Sequence, residues 1–245
     1  MSKSKIYIGT SGWHYSHWKG TFYPEDLSAS DYLSFYQEKF PTVEINNTFY
    51  NMPEKKTLQE WKDTVKEDFI FSVKASRFIT HMKKLKDPEE PVSHFFSKVN
   101  VFEDNLGPVL FQLPPKWKIN YDRLNNFLDN LPEDYRYVFE FRNPSWFDEE
   151  IYRLLAHYRA AFCIYDLNQD LSPKEITTDF IYIRLHGPDG AYKGQYSTQS
   201  LSGWAGAFAA WKNKVKKIYC YFDNDQAGYA AQDALRLKKM LENNF

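Results

Sequence analysis

Short runs of β-branched and aromatic residues alternate with longer amphipathic segments along the whole chain. Eight such runs have the length and composition of strands, at residues 6–9, 43–46, 69–74, 109–112, 137–142, 162–166, 180–186 and 218–223. Strands separated by helical segments favour parallel pairing through βαβ crossovers. Eight units of this kind predict an α/β fold, a single TIM-type (β/α)8 barrel, whose functional residues lie at the C-terminal ends of the strands.

The segments between the strands carry the periodicity and the boundary residues of helices. The predicted helices cover residues 32–39, 58–65, 94–103, 122–131, 148–158, 204–215 and 226–241. The sixth connection contains only the capping box that begins at Ser172, with a proline at the first helical position, so the sixth helix should be short or degenerate. No repeat or Pro/Gly-rich linker divides residues 1–245, which predicts a single domain.

Composition narrows the class of protein. The 245 residues suit one barrel of this type, and a net charge of -1 does not favour a general nucleic-acid coat. No apolar run reaches the length of a membrane span or of a signal peptide, so we expect a cytoplasmic protein without a membrane partner. Cys163 and Cys220 both fall in predicted strands and should be buried, reduced thiols.

Aromatic residues are unusually frequent, with 20 Phe, 18 Tyr and 7 Trp. Most should lie in the core, because aromatic side chains dominate burial energetics. Several fall instead in loops predicted to follow the strands: Trp13, Tyr15, Trp18, Tyr50, Trp146, Tyr192 and Tyr196. A rim of rings there would suit a ligand with flat or apolar faces, such as a base or a sugar.

Polar residues stand at the ends of the predicted strands, and several are two positions apart. Residues two apart share a face of a strand, as do Glu140 and Arg142, or Arg184 and His186. Charged pairs under the helix layer would be costly, so we expect them to face inward near the C-terminal ends. The predicted pocket contains Glu44, Asn46, Lys74, Gln112, Glu140, Arg142, Asp166, Arg184, His186 and Asp223. The alternative is an ion-pair network with a purely structural role.

These same segments resemble a known family. The motifs are residues 8–13 with Trp18, and residues 43–50, 71–75, 106–115, 140–147, 182–187 and 221–225. In this order, over nearly the whole chain, they resemble the YecE-like proteins, the domain of unknown function 72. The resemblance implies a TIM-barrel-like fold, and it implies no activity. The glycine-rich loop at residues 187–195 departs from the pattern.

The residues of the predicted pocket support the hypothesis of an enzyme with hydrolase-like or isomerase-like acid–base chemistry. Its substrate would be small and anionic or phosphorylated. Lys74 and Arg142 would grip the anion, since arginine binds carboxylate or phosphate bidentately. Glu140 is the candidate base and His186 the candidate acid, because the pKa of histidine is nearest neutrality. Further acid–base candidates are Glu44 and Asp223. Further ligand-binding candidates are Trp13, Asn46, Tyr50, Gln112, Trp146, Asp166, Arg184 and Asn224.

Other interpretations stay open. We predict no cofactor and no metal: a divalent metal on Glu44, Glu140, His186 and Asp223 is less favoured, because Lys74 and Arg142 would compete for the same carboxylates. Glycosidase chemistry ranks low. Stacking on Trp13, Tyr50 and Trp146 would suit a nucleic-acid-binding protein or a metal-dependent phosphoesterase resembling endonuclease-IV-type barrels. The helix that follows Asp225 could bind phosphate, although an N-cap role for Asp225 is the favoured interpretation.

Overall fold

A computed structural model describes residues 4–168 and 170–242. The chain forms two compact units. The first unit comprises the residues up to 44, residues 164–174, and those from 179 onward; the second comprises residues 45–163 and 175–178. Each is described by itself below. The single domain expected from the sequence stays a prediction.

All eight predicted strands are present. The strands are β1 (Lys5–Thr10), β2 (Thr42–Ile45), β3 (Ile70–Lys74), β4 (Leu106–Gln112), β5 (Tyr137–Glu140), β6 (Ala161–Leu167), β7 (Asp170–Leu171), β8 (Phe180–Leu185) and β9 (Lys217–Phe222). Their order in the sheet is β1-β9-β8-β6-β5-β4-β3-β2, and the short β7 pairs with β6 outside this path. Eight parallel strands in this order, linked by helical connections, are the α/β fold of the TIM type.

Helices fill most of the connections. The helices are α1 (Tyr32–Gln37), α2 (Asn47–Tyr50), α3 (Lys55–Thr64), α4 (Glu89–Val99), α5 (Tyr121–Asp129), α6 (Glu149–His157), α7 (Thr198–Trp211) and α8 (Tyr229–Glu242). Helix α7 begins where Ser197 accepts a hydrogen bond from the Ser200 backbone N–H, and Asp148 caps α6 in the same way through Glu150. No helix in the described part of the chain has the length and apolar character needed to cross a membrane.

In the first unit, β9 pairs in parallel with both β1 and β8. Helix α8 packs against β1, β9 and α7. A further parallel bridge joins Ser11 to Glu44 at the ends of β1 and β2. Gly9 permits this approach, because a Cβ at that position would collide with the carbonyl oxygen of Thr42. The carboxyl ends of β1, β2, β8 and β9 therefore lie side by side.

In the second unit, β4 pairs in parallel with β3 and β5, and the first residues of β6 continue the sheet beside β5. The strands are buried almost completely, as expected where helices cover a parallel sheet. A five-residue π-helix, Phe78–Met82, follows β3 and packs against α4. Helix α2 packs against β3.

The sixth connection has no helix among its described residues. The chain turns back after β6 and forms β7, which pairs antiparallel with β6. Ser172 does not cap a helix, because its side-chain oxygen accepts a hydrogen bond from the Tyr165 backbone N–H at 2.9 Å. The sequence-based prediction of a short or degenerate sixth helix is therefore confirmed in its degenerate form, while the predicted role of the capping box is wrong.

Candidate functional site

A buried arginine organises the carboxyl ends of the strands in the first unit. Arg184, on β8, is only 1% exposed. Its guanidinium donates from Nε to both oxygens of Glu44, at 3.1 and 3.0 Å, and from Nη2 to Glu44 Oε1 at 2.8 Å. The same Nη2 donates to Asp223 Oδ2 at 3.0 Å. One cation thus bridges the carboxylate of Glu44 on β2 and that of Asp223, directly after β9.

Both carboxylate oxygens of Glu44 accept hydrogen bonds from buried side chains. The residue is inaccessible to solvent. Besides Arg184, Ser11 Oγ donates to Oε1 and the Tyr182 hydroxyl donates to Oε2, both at 2.6 Å. Burial, and then the neighbouring Glu44 charge, hold the pKa of Tyr182 well above its usual value, so Tyr182 remains a neutral donor. These contacts fix Glu44 as an anionic partner of Arg184.

His186 lies between Arg184 and Asp223. Its Nε2 is 3.3 Å from Arg184 Nη1, and its Nδ1 is 2.9 Å from Asp223 Oδ2. Because a guanidinium can only donate, Nε2 accepts in the contact with Arg184, while Nδ1 makes a close contact with Asp223 without the geometry of a hydrogen bond. His186 is completely buried, whereas 12% of the Asp223 side chain is exposed. Asp223 is therefore the solvent-facing member of this group of four, which we call the Arg184 network.

A third carboxylate, Asp225, lies near Asp223 and was not among the site residues predicted from the sequence. Its Oδ1 accepts from Trp18 Nε1 at 2.5 Å, and its Oδ2 is 3.1 Å from His17 Nε2. Burial raises the pKa of Asp225 to about 6, with Asp223 adding to the rise, while the contacts with Trp18 and His17 oppose it. Asp225 does occupy the N-cap position, before the short 3-10 helix Gln226–Gly228, but its side chain makes no capping hydrogen bond.

Tyr15 is a further residue of the first unit that the sequence did not single out as a site residue. Its hydroxyl donates to the Ser11 carbonyl at 2.7 Å. Burial, followed by the charges of Asp223, Asp225 and Glu44, raises its pKa far above the ordinary tyrosine value. Tyr15 is therefore a neutral donor in the field of the same carboxylates.

Asp166 and Asn224 also belong to the first unit. Burial raises the pKa of Asp166, and a hydrogen bond from Tyr196 opposes the rise; its Oδ1 is buried without a hydrogen-bond partner among the described residues. Asn224 is completely buried. Its Nδ2 donates to the Gly194 carbonyl at 2.9 Å and to Asp233 Oδ2 at 2.8 Å, so it ties the preceding loop to α8.

In the second unit, Glu140 and Arg142 form an ion pair at the end of β5, with Arg142 Nε donating to Glu140 Oε1. The Glu140 side chain is inaccessible and that of Arg142 is 8% exposed. Cys163 Sγ lies 3.8 Å from the other oxygen, Oε2. The pairing expected from their two-residue spacing is therefore present.

Lys74 ends β3 in the same unit. It is 9% exposed, and its Nζ lies 4.3 Å from the centre of the Phe49 ring. Thr48, next to Phe49, donates to the Lys74 carbonyl at 2.7 Å. Asn46 precedes α2, and its Oδ1 is buried with no hydrogen-bond partner within the described ranges. Gln112 is half-buried at the end of β4 and donates only a long bond, 3.4 Å, to the Leu113 carbonyl.

Comparison with known proteins assigns the chain to a family. Residues 7–245 match the family described as "Protein of unknown function DUF72". The chain belongs to DUF72. The match confirms the resemblance to the YecE-like proteins that the sequence motifs indicated.

Similar proteins span nearly the whole length. The "UPF0759 protein YunF" of Bacillus subtilis (strain 168) is 24% identical over 97% of this chain and 95% of its own. A crystal structure of a DUF72 family protein from Thermotoga maritima MSB8 is similar with 32% identity and a TM-score of 0.89, covering 97% of this chain and 99% of that one. A DUF72 protein from Enterococcus faecalis V583 follows with 20% identity and a TM-score of 0.82, covering 97% and 95%.

The aromatic residues of this DUF72 chain differ from the exposed rim that the sequence predicts. Trp13 is 5% exposed, and Trp146 is fully buried with its Nε1 donating to the Trp117 carbonyl at 2.7 Å. Trp18 and Tyr196 are buried as well. Of the predicted rim, Tyr50 (80%) and Tyr192 (49%) are strongly exposed. Large rings in loops after strands serve mainly as packing, because each buries a large apolar area.

The structure therefore groups the predicted site residues within each unit. The Arg184 network unites Glu44, Arg184, His186 and Asp223 in the first unit, and Glu140 pairs with Arg142 in the second. Their functional roles stay predictions. Across the described residues, no three or more His, Cys, Asp or Glu side chains are arranged to hold a metal ion. Cys163 and Cys220 are buried and reduced, as predicted.

Proposed function

We propose that this DUF72 protein is an enzyme that transfers protons to and from a small anionic substrate, with Asp223 as the group that meets the substrate. The observation that carries the proposal is the Arg184 network, in which two buried groups, Arg184 and His186, contact the one carboxylate of the network that reaches solvent. Networks of this kind at the C-terminal ends of TIM-type strands are where such enzymes place their chemistry.

The contacts of Asp223 support the role of a base. A guanidinium in contact favours the ionised carboxylate, which can accept a proton from a substrate. His186 Nδ1 lies 2.9 Å from the same oxygen, and this close contact helps to fix the position of the carboxylate. Because His186 is fully buried, this geometry supports proton supply through Asp223 rather than direct contact with the substrate.

Asp225 would supply the proton donor that complements the base Asp223. Its pKa of about 6 makes it a proton donor near neutral pH, whereas Asp223 is held beside Arg184. Two carboxyl groups whose surroundings separate their proton affinities are the usual basis of an acid–base pair. The tie to Trp18 and His17 gives Asp225 a defined orientation.

The buried carboxylates support a positioning role. Glu44 accepts hydrogen bonds from Ser11, Tyr182 and Arg184 and has no access to solvent, so it holds Arg184 in place. In the second unit, Glu140 holds Arg142 in the same way. Within that unit, the strand-end residues Arg142 and Lys74 are cations of the kind that binds an anionic group.

The test measures the exchange of carbon-bound hydrogen for solvent deuterium. This assay can be run without knowing the substrate in advance. Small phosphorylated and carboxylated metabolites are incubated with the protein in D2O, and deuterium uptake at carbon is followed by NMR. We expect exchange in at least one class of hydroxy or keto acid or sugar phosphate, and a loss of at least about 100-fold in its rate in Asp223→Asn.

The matched control is Asp26→Asn, which removes an exposed carboxylate from the same unit. It should exchange deuterium at the wild-type rate. Both variants are first compared by circular dichroism and thermal unfolding, so that a folding defect is separated from a catalytic one. Equal exchange rates in wild type and Asp223→Asn would show that Asp223 does not carry the chemistry.

A further inference from the structure

An exposed aromatic side chain of the second unit lies in a concave surface. Phe78 begins the π-helix Phe78–Met82, and it is 45% exposed. It lines a groove of about 650 Å³ between the π-helix and α4, which we call the Phe78 groove. Pockets that bind small organic groups have volumes of about 300–1,000 Å³. The groove is therefore large enough for a flat ring system to enter.

The walls of the Phe78 groove combine apolar side chains with hydrogen-bonding ones. Met52 and Pro91 are apolar, whereas Ser93 and His94, both exposed on α4, are polar. A nucleobase matches this lining, because its faces stack on a ring while its edges form hydrogen bonds. The acyl chain of a lipid would leave the polar groups without partners.

Positive charge is concentrated next to the groove. Residues 77–86 contain no acidic residue and four cations, which are Arg77, Lys83, Lys84 and Lys86. Lys83 Nζ lies 5.8 Å from the centre of the Phe78 ring. Because the whole chain has a net charge of -1, this is a local excess of the kind that attracts a polyanion.

Two carboxylates adjoin these cations and offset part of the charge. Asp87 pairs with Lys83 at 3.7 Å, and Glu90 lines the groove from α4. The other three cations are exposed, and none of them forms an ion pair within the described part of the chain. Three positive charges are therefore available to phosphate groups.

The backbone holds two of these cations beside the π-helix. Between them, Leu85 is completely buried, and its N–H donates to the Ile79 carbonyl of the π-helix at 3.0 Å. Lys84 and Leu85 have φ values of 49° and 63°, a left-handed region that such residues occupy only where the surrounding structure holds them. Lys84 and Lys86 are therefore presented to solvent on an anchored turn.

A second exposed ring stands on a neighbouring element. Tyr50, at the end of α2, is 80% exposed. Its ring lies 4.9 Å from that of Phe49, which in turn lies 5.0 Å from the ring of His81 in the π-helix. Exposed rings on adjacent elements are the platforms on which successive bases of a single strand stack.

We propose that the Phe78 groove binds a single strand of nucleic acid, with one base stacked on Phe78 and phosphates held by Arg77, Lys84 and Lys86. Single-stranded nucleic acid is favoured because the core of a protein interface is depleted of charge, whereas a duplex keeps its bases stacked on each other. This binding involves the second unit alone, and it goes beyond the proton transfer proposed above without depending on it.

The probe is a fluorescein-labelled oligothymidylate of about 15 nucleotides, and its binding to the whole protein is followed by fluorescence anisotropy. We expect a Kd of about 1–100 μM near 50 mM KCl. Three phosphate contacts, at about 0.7 each, predict a slope of about -2 for the logarithm of the binding constant against that of the salt concentration. The same strand paired with oligoadenylate should bind more weakly.

The charged part of the surface is tested by Lys84→Met combined with Lys86→Met. Loss of two phosphate contacts should weaken binding by about tenfold or more and reduce the salt slope to about -0.7. The matched control is Lys116→Met combined with Lys118→Met, which removes two exposed lysines of the same spacing from the same unit. The control should bind as the wild type does.

The stacking part is tested by Phe78→Leu, which keeps an apolar side chain and removes the ring. Binding should weaken by about fivefold or more, with the salt slope unchanged. Tyr121→Leu is the matched control, because its ring is 42% exposed elsewhere in the same unit; it should bind as the wild type does. Circular dichroism and thermal unfolding establish that all variants are folded.

The inference is overturned if the Lys84 and Lys86 double variant binds as tightly as its control, or if Phe78→Leu binds as tightly as Tyr121→Leu. Binding to phosphatidylserine vesicles without binding to the oligonucleotide would assign the surface to a membrane instead. A dimer in light scattering that Phe78→Leu dissociates would assign it to a second copy of the chain. Both results would refute nucleic-acid binding, and neither bears on the role of Asp223.

Discussion

Arg184→Met is the most direct perturbation of the first unit. The methionine side chain keeps much of the apolar stem and removes the guanidinium. The buried anion Glu44 then loses its only cation among the contacts described above, together with the bonds from Nε and Nη2. Asp223 loses one contact, but 12% of its side chain is exposed, so water can replace part of what it loses. The cost therefore falls mainly on Glu44.

The magnitude can be worked out from this geometry. Two unit charges about 4 Å apart at an effective dielectric constant of about 20 attract by about 4 kcal/mol. Removing one partner of a buried pair typically costs about 3–5 kcal/mol. We therefore expect Arg184→Met to lower the free energy of unfolding by about 4 kcal/mol. That is a large part of the roughly 5–15 kcal/mol by which proteins are stable.

Urea unfolding followed by tryptophan fluorescence measures this difference, and a slope of about 3 kcal/mol per molar would place the midpoint more than about 1 M lower. Glu44→Gln combined with Arg184→Met should cost less than the sum of the single changes, by about 2–3 kcal/mol. Arg153→Met is the control: its pair with Glu149 is about three-quarters exposed on both sides, so it should cost under about 0.5 kcal/mol. A loss below about 1 kcal/mol for Arg184→Met, or additive effects with Glu44→Gln, would refute the assignment of a buried ion pair.

Further predictions concern titration and thiol chemistry. Because the pKa of Asp225 is raised to about 6, the stability linked to it is present below pH 4 and lost as the pH rises through 6, by up to about 3 kcal/mol. The difference in urea midpoint between wild type and Asp225→Asn should therefore change between pH 4 and 7, and a constant difference would contradict this. Burial raises the pKa of the Cys220 thiol far above its ordinary value, and Cys163 is equally buried. Iodoacetamide at pH 8 should modify neither cysteine in the folded protein and both in urea; mass spectrometry showing labelling of the native protein would count against the described packing.

Much of the fold follows from local sequence signals. The eight strand runs are found within one to three residues of their predicted ends, because β-branched and aromatic runs bounded by turns leave few alternatives. The sixth connection was the exception. A capping box predicts a helix from local hydrogen bonds alone, but Ser172 lies where the Tyr165 N–H needs an acceptor, and that tertiary contact takes its side chain.

The site was predictable in its residue types and only partly in its pairing. Strand alternation places Arg184 and His186 on one face, and the structure brings both to Asp223. Strand alternation does not predict that Glu44, 140 residues away, is the partner of Arg184. That pairing depends on the neighbouring positions of β1, β2, β8 and β9. Asp225 was missed for a similar reason: Trp18, its partner, is 207 residues away, and an aspartate before a helix has a strong local interpretation as a cap.

Burying the charged groups of the Arg184 network costs free energy, so its contribution to stability alone does not explain its presence. Replacing a buried ionic group by well-packed apolar residues is often neutral or stabilising, so stability alone does not account for three such groups in contact. Glu44, Arg184 and His186 are each 1% exposed or less, each contacts another member of the network, and Ser11 and Tyr182 add hydrogen bonds to Glu44. The contacts end on the one carboxylate that solvent reaches. A buried support of this kind fixes the position of Asp223, which is what the proposed role of Asp223 as a proton-transferring carboxylate requires.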